Sequence, residues 1–225
     1  MNLFKISLST TKVESNPLIY PTQLGDIHFY LSINKQKIEN FKPVETRVFK
    51  KTTVSSWNME GCRVEFLKTY FKPKIPLSMH VDTCMAGIWR IHCSGEEILP
   101  VFRASLNPNS SLVPNGVSET GEGLVSMSFE NSEMQLAIGT EDEDSLNDRA
   151  FMKDWMPKSF FGNIFSNDIK SLANGIEVSL PCLRVQDCTQ IQFIVASTSN
   201  KSHKDSCWFA VEQSPEYILK QAEVM

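Results

Sequence analysis

The chain has 225 residues, of which 41% are apolar and 21% charged, a balance that excludes a disordered or fibrous protein. A chain of this length buries about 70% of its unfolded surface, so it needs no disulfide or metal staple. The net charge of −4 speaks against broad binding to nucleic acid or anionic membranes, which needs a basic surface.

Taken in chain order, the dominant pattern is period two, the mark of strands with one buried face. Phe4, Ile6 and Leu8 alternate with Lys5, Ser7 and Ser9. This start lacks the apolar stretch of a secretory signal. Ile27, Phe29, Leu31 and Ile33 then alternate with His28, Tyr30 and Ser32. A strand is expected at 46–54, and another where Cys62, Val64 and Phe66 alternate with Arg63 and Glu65. Lys68, Lys72 and Lys74 form a basic group, but Pro73 and Pro76 mark that region as a loop.

Next comes an expected hairpin of 77–82 and 88–93. Leu77, Met79 and Val81 face the core on one strand; Trp89, Ile91 and Cys93 do so on the other. A strand at 97–104 leads to a loop at 105–123, bracketed by Asn107-Pro108, Asn115-Gly116 and Gly121-Glu122-Gly123. Strands are expected at 124–129 and 134–138.

Residues 141–148 are rich in acids, and Ser145 with Asp148 fits a capping box. Trp155, Met156, Phe160, Phe161, Ile164 and Phe165 follow at helical spacing, suited to covering one end of a sandwich. Asn174-Gly175 opens a strand at 176–180. Further strands are expected at 191–195 and 207–211. Ser214-Pro215-Glu216 is a cap, first-position proline and acidic first turn, and predicts a helix at 215–223. The longest uninterrupted apolar run is five residues, Cys207 to Val211. A membrane-spanning helix needs about 20.

The six cysteines contain no Cys-x-x-Cys pair. With no signal segment, they read as reduced structural thiols of a cytoplasmic protein. Asn109 and Asn200 head glycosylation-type triplets, which are chance matches in that compartment.

The candidate chemistry lies in the expected hairpin. Its outward face would carry His80, Asp82, Arg90 and His92. Two imidazoles and a carboxylate suit a metal, as in the two-histidine-one-carboxylate set of some jelly-roll enzymes. Arg90 with a histidine suits an anion instead. The plain alternative is a solvated sheet face. His203 is a more distant candidate ligand. Signatures of nucleophilic catalysis, phosphate loops and dinucleotide binding are missing, and the acidic run lacks the central glycine of a calcium loop.

The expectation is therefore an all-β antiparallel sandwich or jelly roll, with short helices near 145–165 and 215–223. It is read as one domain over 1–225, with residues 1–60 as a possible loosely attached segment. The leading functional expectation is a soluble binding or accessory structural protein that needs no cofactor and partners another protein or itself. The alternatives are a metal-dependent jelly-roll enzyme using His80, Asp82 and His92, and a viral or phage structural subunit.

Overall fold

In the computed structural model, residues 16–109, 116–199 and 205–222 are described. They form β1 (Ile19–Pro21), β2 (Gly25–Ile33), β3 (Gln36–Lys37), β4 (Glu45–Phe49), β5 (Thr52–Met59), β6 (Cys62–Tyr70), β7 (Thr83–Cys93), β8 (Pro100–Pro108), β9 (Val117–Gly121), β10 (Leu124–Glu130), β11 (Gln135–Glu141), β12 (Ile169–Leu172), β13 (Gly175–Ser179) and β14 (Cys188–Thr198). Three helices accompany them, α1 (Glu143–Met152), α2 (Ser206–Val211) and α3 (Pro215–Ala222). None is long and apolar enough to cross a membrane. The expected strand at Phe4–Leu8 and the candidate His203 lie outside the described residues.

The strands build an antiparallel sandwich. The smaller sheet runs β1-β2-β8-β13-β12, with β3 on β2; the larger runs β4-β5-β6-β7-β14-β11-β10-β9. Residues before position 60 supply strands to both sheets. Strand alternation explains the layer between them. Ile27, Phe29 and Leu31 of β2 meet Val64 and Phe66 of β6, Trp89 and Ile91 of β7, and Ile191 and Phe193 of β14 in one buried cluster. Aromatic rings bridge the two layers: the Phe29 and Phe66 centroids are 5.2 Å apart and those of Phe66 and Trp89 4.5 Å. Gly87 makes room for this contact, because a Cβ there would lie 2.7 Å from the Phe29 ring and 2.9 Å from Phe66.

A second apolar cluster lies on the outer face of the larger sheet. Cys84, Ala86 and Ile88 of β7 and Ile194 and Ala196 of β14 pack beneath Cys207, Ala210 and Val211 of α2 and Ile218 of α3. The central strands are thus buried on both faces. The helix approaches closely at Gly139 of β11, where a Cβ would stand 2.8 Å from Val211.

Some local expectations change. The segment 207–211 is helical, with Cys207, Ala210 and Val211 buried at three- and four-residue spacing. A five-residue apolar run fits either period, and the flat surface over Gly139 favours the helix. The expected strand at 77–82 is irregular loop. Both edges of β7 are taken, by β6 and β14, so nothing is left for 77–82 to pair with. The 46–54 segment is a hairpin that turns after Phe49, with Lys50 at φ 49°. The acidic run starts a helix, but its cap is Asp142, which accepts from the Ser145 amide at 2.9 Å. Past α1, Met156, Phe160 and Ile164 close the end of the core as expected, whereas Phe161 and Phe165 stay exposed. The C-terminal helix forms behind Ser214, whose Oγ accepts from the Tyr217 amide.

Replacing Gly87 with alanine should force the Phe29 and Phe66 rings apart and destabilise the fold by about 1–3 kcal/mol. Urea denaturation of the G87A protein against wild type checks this; an unchanged midpoint would show that the rings yield freely.

Candidate functional site

The four residues of the expected hairpin face fall into two places. Asp82 precedes β7 and Arg90 lies near its far end; eight residues of strand separate them by roughly 27 Å. The single His80/Asp82/Arg90/His92 face therefore does not form, and neither does the His80/Asp82/His92 metal set. The cause is the missing strand at 77–82, on which the juxtaposition depended. Among the described residues, no three His, Cys, Asp or Glu side chains are grouped to hold a metal ion.

At the first place, Asp82 accepts from the Ser199 amide at 2.6 Å and from Ser199 Oγ at 2.8 Å. His80 Nε2 lies 3.1 Å from its other oxygen. The carboxylate sits between serine and histidine. A catalytic triad requires the histidine in the middle, where it takes the serine proton, so this order does not activate Ser199. The group instead latches the 77–82 loop to the end of β14. The Ser199 amide bond, above all, holds the Asp82 carboxyl below its ordinary value.

At the second place, the Arg90 guanidinium stacks on Trp155 at 4.4 Å, and its Nε donates to Gln190 Oε1 at 2.9 Å. His92 meets the edge of the same indole at 5.4 Å. Trp155 covers Arg90, so little of the guanidinium faces solvent. Beside it, the buried Arg149 bonds Glu141 at 2.7 Å and the Gln190 carbonyl at 3.1 Å, tying α1 to β11 and β14. Burial raises the Glu141 pKa, and Arg149 partly opposes that rise. Nucleophilic thiolates are disfavoured too: burial pushes Cys62 up to about 11 and Cys207 up to about 12.

A different surface has the geometry of a ligand site. The outer face of the smaller sheet carries a groove of about 340 Å³ lined by Tyr30, Ser32, Lys37, Arg103, Asn107, Asn174 and Glu177. Strand register builds it. Tyr30 of β2 lies opposite Arg103 of β8, Arg103 opposite Glu177 of β13, and Glu177 opposite Lys170 of β12. These four side chains form one transverse row, spaced by the strand separation of about 4.8 Å. The Arg103 guanidinium stands 5.8 Å from the Tyr30 ring centre. Its Nη2 donates to Asn174 Oδ1 at 3.0 Å, while Nε is without a partner among the described residues.

Asn174 is held by exchange with Leu106: its side chain donates to the Leu106 carbonyl at 3.1 Å, and its own carbonyl accepts from the Leu106 amide at 2.7 Å. The neighbouring Gly175 allows this contact, since a Cβ there would sit 2.1 Å from the Ala104 carbonyl oxygen. His28 lies two residues before Tyr30 on the same face, with the two rings stacked at 5.9 Å. The period-two pattern already turned His28, Tyr30 and Ser32 outward. Arg103 and Glu177 fell within expected strands, but only the strand order brings them beside Tyr30.

No protein-family model matches the chain, and no curated protein matches it. Among solved structures, it is similar to a protein named as a kojibiose phosphorylase from the human microbiome, at 8% identity and a TM-score of 0.49, over 86% of this chain and 26% of that one. It is also similar to a polysaccharide lyase, at 10% identity and a TM-score of 0.37, over 88% of this chain and 28% of that one. The chain thus spans about a quarter of the length of each. Neither likeness bears on function.

The Asp82 latch makes a prediction about pH. Because the folded carboxyl titrates below its ordinary value of 3.8, its stabilisation is complete above that value and is lost as pH falls through the lower folded one. D82N should cost about 1 kcal/mol near neutral pH, modest because the group is partly exposed. The gap to wild type should close in acid. Urea unfolding at several pH values checks this; a gap constant with pH would contradict the latch.

Proposed function

We propose that this chain is a binding module that takes a hydroxyl-rich ligand, such as a segment of glycan, across the outer face of its smaller sheet. The observation that supports this reading is the Tyr30–Arg103–Glu177 row lining a groove that no helix covers among the described residues, with Lys170 next along the row. A hydroxyl both donates and accepts. Neighbouring hydroxyls of a sugar therefore match a row in which the donor Arg103 stands beside the acceptor Glu177. Asn107 offers both functions a short way along β8. Tyr30 and His28 add half-buried ring surface suited to the C–H side of a sugar ring, an apolar body with polar margins. Charges alternate along the row, which fits a neutral polyol better than a polyanion. The side chains stand on paired strands, so little order has to be created on binding.

The test is binding to an oligosaccharide array, followed by calorimetry on any glycan retained. R103A and Y30A should each weaken binding roughly tenfold, about 1.4 kcal/mol, with the unfolding midpoint little changed. Retention of no glycan, or equal affinity in both variants, would overturn the reading.

A further inference from the structure

We propose that two copies of this chain pair through the exposed edge of β4, in one register centred on Thr46. The larger sheet ends at β4, which bonds to β5 on one side and to no other strand among the described residues on the other. Every residue of β4 is exposed. Such an edge is a template for another strand, and proteins commonly guard it with charge. Here the charges do not guard it, because they are self-complementary. The segment reads Val44-Glu45-Thr46-Arg47-Val48, and a two-fold axis through Thr46 sets each Glu45 opposite the partner copy's arginine and each Val44 opposite its Val48.

Geometry selects that register. A two-fold axis perpendicular to the joined sheet keeps each face continuous, so it must pass through a residue, since adjacent residues point to opposite faces. Centred on Glu45 it opposes like carboxylates; centred on Arg47 it opposes like guanidinium groups. Centred on Val48 it places Arg47 against Phe49 and sets Glu45 beyond the end of the partner strand, against the Lys50-Lys51 turn. Thr46 is the centre that pairs both charges and both valines. Glu45 and Arg47 already bond along one face of the strand, Arg47 Nε donating to Glu45 Oε1 at 2.6 Å, so pairing turns two ion pairs into a closed ring of four charges. Val44 and Val48, 63% and 58% exposed, gain apolar neighbours on the other face. The ladder is short at this end: the Val44 amide already donates to the Ser56 carbonyl at 2.8 Å, and Pro43 before it has no amide to donate.

Sedimentation equilibrium over a concentration series tests the proposal, with circular dichroism to verify folding. Wild type should dimerise. E45R is positive at both positions and R47E negative at both; each alone should dimerise at least roughly tenfold more weakly, since like charges then face each other. An equimolar mixture of the two should recover pairing as a heterodimer, and the double swap E45R/R47E should recover it as a homodimer. A wild type that stays monomeric into the millimolar range, a dimer that persists in both single variants, or a mixture that stays monomeric would each overturn it. The glycan groove lies on the other sheet, so its test and this one succeed or fail separately.

Discussion

The approach of the two sheets over Gly87 is the constraint on which the rest of the molecule depends. Phe29 reaches from the smaller sheet into contact with Phe66, and Phe66 with Trp89, and the Phe29–Phe66 contact that joins the sheets needs the space a side chain at Gly87 would fill. Each such ring contributes on the order of 1.5–3 kcal/mol by leaving water. The surrounding strands inherit their positions from this layer. The inner face of every central strand is set by which of its residues can stand beside those rings.

The molecule is strongly two-sided as a result. The larger sheet is sealed on its outer face by α2 and α3 over β7 and β14, and near Arg90 by Trp155. The smaller sheet carries no helix on its outer face among the described residues, and most of its side chains there, Val101 apart, are polar or aromatic. A row of Tyr30, Arg103, Glu177 and Lys170 on such a face is held by the sheet ladder itself and by the exchange between Asn174 and Leu106. Among the described residues, helices thus cover the outer face of one sheet and not that of the other. The free edge at β4 belongs to the covered sheet, so pairing there would leave the open face untouched.

Buried polar groups mark where the outer layer is pinned. Arg149 joins α1 to β11 through Glu141 and to β14 through the Gln190 carbonyl. Little of the Glu141 side chain is exposed, and its charge is tolerable because Arg149 stands against it. Arg90 is satisfied by Gln190 and Trp155. A cationic side chain at an outward position of a strand suggests a binding group in a linear reading; in the folded protein Trp155, far away in the chain, comes to lie on it.

The sequence by itself determined the class of the fold. Alternation at Ile27–Ile33, Cys62–Phe66, Ile176–Leu180 and Ile191–Val195 requires strands with a buried face, because side chains on a pleated backbone point to opposite sides in turn. The same alternation turned Tyr30 outward, and Ser214-Pro215 started α3 where local capping chemistry says it must. Tertiary structure decided everything that depends on strand order. It left 77–82 without a pairing edge, and so moved His80 and Asp82 away from Arg90 and His92. It made a helix of Cys207–Val211, because a short apolar run takes the period of the surface it meets, here the shallow face over Gly139. It also assembled Tyr30, Arg103 and Glu177, which are far apart in the chain, since long-range pairing is set by how the whole core packs and by no single segment.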